Sequence, residues 1–379
     1  MSAKQIYSVV NTIANNISYT GGDVVDVTSF VAFGENALST PAMTESVYDK
    51  LYDLIGRTVI AIDEAEDDEL DIVVDAFEYG SILQKLSFAN QSAEVSSEWD
   101  VENPENPYDE VRKDGIVQEF FENYIPAFSW KDVSYREQLK EAFRTPEKLA
   151  GFTDALFTRM RNAYKIAKNG LSFNALNSFV GTLYATRLTA PNGSRRVRHL
   201  MSEFNTLYLS GDNDTPLTSD TSLVNKEYLE YIRKQIIKDK KNLAKMTKLY
   251  NSGTVERRTT DADARLVLHV DLTTSYDKYY GETFNENYIK LPPHKEVVNW
   301  GNATYPEAFD ISLDGGATTT HVGDLIGVIY DKDAVVATMD KSRFVNMYDE
   351  WNDRNIFKLT AIRRYINDVS ENGIIYLND

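Results

Sequence analysis

Two aromatic-rich segments with strand-like alternation, Phe77 to Phe88 and Ile116 to Phe128, are separated by roughly 27 residues of Asn, Ser, Glu and Pro. The first places Phe77, Tyr79, Ser81, Leu83 and Lys85 on one side, and the second stops near Pro126. The intervening stretch includes Asn103-Pro104-Glu105-Asn106-Pro107. A connection of this length inside a compact domain is uncommon and is either functional or disordered. Paired, the two segments make a long hairpin that projects from the body. A lone two-stranded ribbon is marginal in water. Phe120, Phe121, Tyr124, Phe128 and Trp130, together with Trp99 in the connection, therefore imply cover from outside the monomer. The chain has 23 Tyr, 17 Phe and 4 Trp, enough to supply an interface as well as a core.

The charge is segregated. The net value is −18, and residues 61–110 hold sixteen acids against the single base Lys85. The block begins Asp63-Glu64-Ala65-Glu66-Asp67-Asp68-Glu69, six carboxylates that repel one another and stay in water. No Gly stands where a calcium loop would require one, so the block reads as a solvated face or contact surface. The opposite pole is 226–248, with eight bases, Lys238, Lys241 and Lys245 among them, against three acids. Its ordinary reading is a solvated helix face. Its functional reading is a face that meets phosphate or an acidic surface of another copy, since molecules with opposite poles associate head to tail. So acidic a chain repels nucleic acid over most of its surface, which argues against a base-reading factor.

The pattern along the chain is mixed, an α+β alternation. Ala3 to Ile17 has the spacing of a short amphipathic helix. Residues 23–40 read as an extended arm. Thr40-Pro41 starts a helix with Val47, Leu51, Leu54 and Ile55 inside and Gly56 as the stop. The clearest helix has Thr145 as cap and Pro146 and Glu147 in its first turn, and it ends at Asn169-Gly170. A shorter helix with Phe173, Leu176, Val180 and Leu183 follows. Ser222 to Tyr250 reads as a long helix and Arg196 to Leu209 is ambiguous. Strands are expected at Arg265 to Leu272, Leu325 to Tyr330, Ala334 to Met339 and Ile374 to Leu377. No internal repeat is visible.

Signals for chemistry are sparse. The chain has no Cys, which excludes disulfides, thiolate metal sites and a Cys nucleophile. His199, His269, His294 and His321 are scattered, so neither a metal nor a cofactor is expected. There is no phosphate-binding Gly-Lys loop, dinucleotide fingerprint, zinc-protease helix or serine elbow. Gly315-Gly316 lacks the Gly content of a phosphate cradle. His269 and Asp271 share a strand face, and a hydrogen-bonded structural histidine is the preferred reading. Met-Ser-Ala-Lys begins a polar helix rather than a secretory signal, and no apolar run reaches the roughly 20 residues of a membrane span, so a soluble intracellular product is expected.

The order of elements resembles that of tailed-bacteriophage major capsid proteins with the Hong Kong 97 type fold. The more specific parts are local: Gly323-Asp324-Leu325-Ile326-Gly327-Val328-Ile329-Tyr330-Asp331-Lys332-Asp333-Ala334-Val335, Asn352-Asp353-Arg354-Asn355-Ile356-Phe357, and Tyr79-Gly80-Ser81-Ile82-Leu83-Gln84-Lys85-Leu86 with Trp99 beyond. Within that family the small podophage coats are the nearest group. The resemblance implies an N-terminal arm at 1–40, a peripheral region at 41–76, an extended hairpin loop at 77–130 and a peripheral domain at 131–199 with its spine helix at 146–168. An axial domain at 200–322 and returning strands at 323–379 complete it.

The implied function is a self-assembling shell of hexamers and pentamers around a double-stranded DNA genome. Portal, scaffold or decoration proteins are the implied partners, with assembly in the host cytoplasm and no catalytic residues. Three other readings stand beside it: an encapsulin-like cage that keeps the architecture, an acidic hydrolase using carboxylates, and a phage baseplate or tail protein, where long hairpins also mediate assembly. A strictly monomeric protein would favour the hydrolase.

Overall fold

The computed structural model describes residues 3–16, 19–40, 42–51, 69–74, 83–88, 116–121, 128–190, 192–211, 215–252, 255–280, 290–301, 304–313, 318–339, 343–349, 351–361 and 363–379. They divide into two compact units, each assembled from three stretches of chain.

The first unit comprises Met1–Glu78, Tyr124–Ser172 and Ala337–Arg364. Helix α1 (Ala3–Asn16) buries Val10, Ile13 and Ala14. Its Asn11 amide holds the following segment, donating to Val24 O at 3.1 Å and accepting from Val24 N at 2.7 Å. Residues 23–40, expected as an extended arm, contain helix α2 (Val27–Ala37). Asp26 caps it, its carboxylate accepting from Ser29 N at 2.7 Å while Ser29 Oγ accepts from Asp26 N. Phe30, Phe33 and Ala37 then form a buried stripe, and both rings pack on Phe143 at centroid distances of 5.6 and 5.9 Å. Burial of this stripe outweighs the scattered Gly, Ser and Thr that made the segment read as extended. Helix α3 (42–51) buries Val47, Tyr48 and Leu51, whereas Leu54, Ile55 and Gly56 lie outside the described residues.

Strand β1 (Val73–Val74) runs parallel to Ala337 and Thr338 of β11 (Val335–Met339). A three-stranded antiparallel sheet has the order β12 (Arg343–Asp349), β13 (Arg354–Ala361), β4 (Phe128–Tyr135). Its inner face carries Tyr348, Phe357 and Ser134, the last donating to Tyr48 Oη at 3.1 Å. Asp353 makes the β12–β13 turn at φ 47°. Its carboxylate receives the Tyr348 hydroxyl and lies 3.4 Å from Arg136 Nη1, at the start of α4 (Arg136–Ala142).

Helix α5 (Pro146–Ala185) begins as expected, with Thr145 Oγ1 accepting from Lys148 N at 3.3 Å, but it does not stop at Asn169-Gly170. The two helices expected there are one. The apolar stripe resumes at once with buried Leu171, Ala175 and Leu176, and Gly170 costs only about 1 kcal/mol in a helix interior. Residues up to Ser172 belong to the first unit and those from Phe173 to the second.

The second unit comprises Tyr79–Asn123, Phe173–Val336 and Tyr365–Asp379. It contains the paired strands β2 (Leu83–Phe88) and β3 (Ile116–Phe121) and a central five-stranded sheet. The sheet order is β5 (Val197–His199), β15 (Gly373–Leu377), β10 (Leu325–Asp331), β6 (Ala264–His269), β7 (Lys295–Val297). Every residue of β10 and β15 is buried, which is why both read as unbroken apolar runs rather than alternating ones. At Gly327 a Cβ would meet Leu268 Cδ2 at 2.6 Å, so the motif's central glycine lets β6 close against β10.

Short helices α6 (Gly193–Arg196) and α7 (Leu200–Tyr208) flank β5, resolving the ambiguous 196–209 stretch. Beyond α8 (Ser219–Ser222), helix α9 (Lys226–Leu243) buries Tyr228, Leu229, Ile232, Ile236 and Leu243 in the core with α7 and α10 (Val270–Tyr280). The strand expected to reach Leu272 ends at His269, where α10 takes over. Strands β8 (Phe309–Ser312) and β9 (Thr319–Val322) form a small hairpin, and β14 (Arg363–Asn367) precedes β15.

Candidate functional site

The aromatic hairpin is present as backbone. β2 and β3 pair antiparallel from Leu83↔Phe121 to Phe88↔Ile116, and among the described residues no third strand joins them. Phe120 stands opposite Gln84 and Phe121 opposite Leu83. Trp99 and Tyr124 lie outside the described residues. Phe128 and Trp130 do not belong to this ribbon: they sit on β4, where they pair with Ala361 and Leu359 in the first unit. The reason is Pro126, which cannot donate to a ladder, and the eight-residue register that β13 then offers.

The outer face of the β12–β13–β4 sheet is a second surface that sequence reading missed. Met347 pairs with Ile356 and Ile356 with Val133, giving one apolar row across all three strands. Val345 lies two residues along β12 and Tyr135 two residues along β4, and Val133, Tyr135, Val345 and Met347 are all exposed. Trp351, in the turn after β12, is 98% exposed. Lys131 and Lys358 pair beside the row. Alternation of exposed Val133 and Tyr135 with buried Ser134 was the available signal: the polar residue faces in and the apolar ones out.

The basic pole is helical from Lys226 to Leu243, shorter than the expected 222–250. Asn225 caps it, accepting from Tyr228 N at 3.0 Å. Lys234, Lys238 and Lys241 are exposed at steps of four and three, so they lie along one side of the helix, and exposed Lys245 and Lys248 follow its end. Lys240 instead pairs with Asp261 at 3.4 Å.

Behind this helix lies a polar lattice. Arg198 Nη1 meets the buried Asp239 carboxylate at 3.0 and 3.2 Å, and Nη2 reaches Gln235 Oε1 at 3.2 Å. Burial pushes the Asp239 carboxyl above the usual range, while Arg198 pulls it down. The buried Tyr376 hydroxyl donates to Asp239 at 3.3 Å. Arg196, also buried, donates to the carbonyls of Gly373, Val369 and Glu371 at 3.3, 3.0 and 3.1 Å.

The Gly323–Val335 motif has a structural account too. Asp331 ends β10, accepting from Thr259 Oγ1 at 2.7 Å and from Asp333 N at 3.0 Å, and so shapes the turn into β11. Lys332 leaves that turn to meet Asp263 at 2.6 Å.

His269 is structural. It is buried at the end of β6, and Nδ1 accepts from Asp271 N at 3.3 Å, which assigns Nε2 as the donor to Val298 O at 3.1 Å. Asp271 lies in the first turn of α10 rather than on the strand, so the imidazole acts as a helix cap. Among the described residues no three His, Asp or Glu side chains are placed to hold a metal, and no helix is long and apolar enough to cross a membrane. Gly315-Gly316 lies outside the described residues.

The sequence profile of the Phi29-like phage major capsid protein family matches residues 8–356. The chain belongs to that family. A search of curated protein sequences gives no match. Among solved structures, a chain from the capsid structure of Staphylococcus phage Andhra is similar with a TM-score of 0.53 at 8% identity, covering 81% of this chain and 83% of that one. A chain from the structure of the head fiber and inner core protein gp22 of native bacteriophage P68 is similar with a TM-score of 0.53 at 9% identity, covering 83% and 85%. The fold is the Hong Kong 97 type. This major capsid protein is structural rather than enzymatic; its copies assemble into the phage head shell, and its place is the virion capsid.

Proposed function

We propose that each subunit lays its β2–β3 ribbon over neighbouring subunits, in hexamers and pentamers of an icosahedral head that encloses double-stranded DNA. The observation that carries this reading is the ribbon's two-stranded pairing: six residue pairs join its strands, and among the described residues no third strand supports them. The apolar row of Met347, Ile356 and Val133 supports it, because contiguous apolar surface of this kind marks a surface that a partner covers. In this reading the first unit is the peripheral domain and the second is the axial domain with its extended loop. DNA is held without sequence specificity, as suits a chain of net charge −18. A portal closes one vertex, scaffold or decoration proteins assist, and assembly takes place in the host cytoplasm. Each contact is weak, and many copies together give a stable shell that still corrects errors.

Negative-stain microscopy of the expressed protein is the test. Closed shells or capsomers are expected. A strictly monomeric species at high concentration would overturn the reading. Sedimentation of particles with and without nuclease separates a genome container from a cage for protein cargo.

A further inference from the structure

The face of α9 opposite its buried stripe carries a ladder of like charge. Lys234, Lys238 and Lys241 lie at steps of four and three, and Lys245 and Lys248 continue the series just past the helix end. All five are exposed, and none forms an ion pair among the described residues. Neighbouring like charges at these spacings weaken a helix. The helix dipole offsets this only for charges in the last turn, such as Lys241. Glu227 and Glu230 sit at the other end of the helix, and Asp239 is buried and faces Arg198. The ladder is thus unmatched on its own element. Met246 and Leu249 are exposed at its end, so the strip also offers apolar contact.

The same chain holds the complementary charge. Six of the seven residues 63–69 are carboxylates, and 61–110 carries fifteen of the eighteen excess negative charges. In a homo-oligomer every copy presents both poles, and a basic strip meeting an acidic one on the next copy propagates around a ring.

We propose that the lysine strip of α9 docks the acidic segment 63–69 of a neighbouring copy. This rests on the shell reading and adds to it a named polar contact. Its strength is ionic and therefore salt-sensitive.

The experiment uses shells assembled from a mixture of heavy-nitrogen-labelled and unlabelled subunits. A carbodiimide couples touching Lys and carboxylate side chains, and mass spectrometry reads the linked peptides. Links from Lys238, Lys241 or Lys245 to residues 63–69 are expected, with one peptide from each population. Links confined to peptides of one population, or none to 63–69, overturn the proposal. Charge reversal is the second arm. Lys238→Glu with Lys241→Glu and Lys245→Glu should cut particle yield by roughly tenfold or more, since like charges then face each other. Glu64→Lys with Asp67→Lys and Asp68→Lys in the same chain should restore it. A lysine variant that assembles like the wild type but retains less nucleic acid would place these lysines against DNA and overturn the docking. Absence of wild-type shells would sink the shell reading itself; intact shells with indifferent lysines would sink only this contact.

Discussion

Arg198 and Asp239 form a two-pronged ion pair in which one guanidinium nitrogen lies 3.0 and 3.2 Å from the two carboxylate oxygens, with the acid fully buried. Burial raises the folded value of the Asp239 carboxyl above the usual Asp value, and Arg198 offsets part of that rise. A carboxyl with a raised folded value contributes stability that is fully present below its unfolded value and is lost as pH rises through the folded one. Arg198→Met strands a buried carboxylate and should cost about 3–5 kcal/mol at neutral pH. Part of that cost should disappear on acidification towards about pH 4, as Asp239 takes up its proton. Asp239→Asn removes the titration, so the wild type should gain on this variant as pH falls over the same window. Urea unfolding at several pH values checks both.

Arg196 is a buried cation whose donors go to three carbonyls of the turn leading into β15. Burial pulls its value down to about 10, which leaves it charged at neutral pH. Lysine offers a point charge rather than a planar fork and cannot serve three carbonyls from that position. Arg196→Lys should therefore cost about 2–3 kcal/mol through unsatisfied buried groups. Hydrogen exchange of the β15 amides is expected to rise in step.

Two glycines should respond oppositely to alanine. Gly327→Ala places a methyl 2.6 Å from Leu268 Cδ2 and 3.0 Å from Val267 O and should destabilise by about 1–3 kcal/mol. Gly170 lies inside α5 with nothing within 4 Å of an added Cβ. Gly170→Ala should stabilise by about 0.5–1 kcal/mol. Thermal unfolding of the two variants reads both signs.

Trp351 touches little in the subunit, so Trp351→Ala should change subunit stability by no more than about 0.5 kcal/mol. Shell yield should fall, because a fully exposed Trp is the kind of anchor that a neighbouring subunit covers. Light scattering during assembly, against urea unfolding of the unassembled subunit, separates the two effects.

The elements most legible in the sequence were those whose burial was uniform or strongly periodic. β10 and β15 announced themselves as apolar runs, and α5 by its cap and stripe. The breaks were harder to place. Asn169-Gly170 carries the local signature of a helix end, and only the stripe that resumes at Leu171 opposes it. Residues 23–40 looked extended, although Asp26 and Ser29 carried a capping box ahead of Phe30 and Phe33. α10 was hidden because Val270 and Leu272 prolong the alternation of β6, while the helix start depends on the His269 ring. Of the candidate interface residues, the lysine periodicity was visible and its sidedness was not. Phe128 and Trp130 are close to the ribbon in sequence but pair with β13, because partner choice among strands is a long-range property. The exposed sheet face escaped because it inverts the usual pattern, with Ser134 inward and Val133 outward.

In the five-stranded sheet, β15 lies between β5 and β10, so a strand made some 170 residues after β5 slots into the middle of the layer. A ribosome that stalls before residue 373 releases a chain whose sheet is missing an interior member. Such a product cannot finish its second unit and so cannot pose as a sound building block. A chain lacking β15 should therefore fail at folding, before assembly begins.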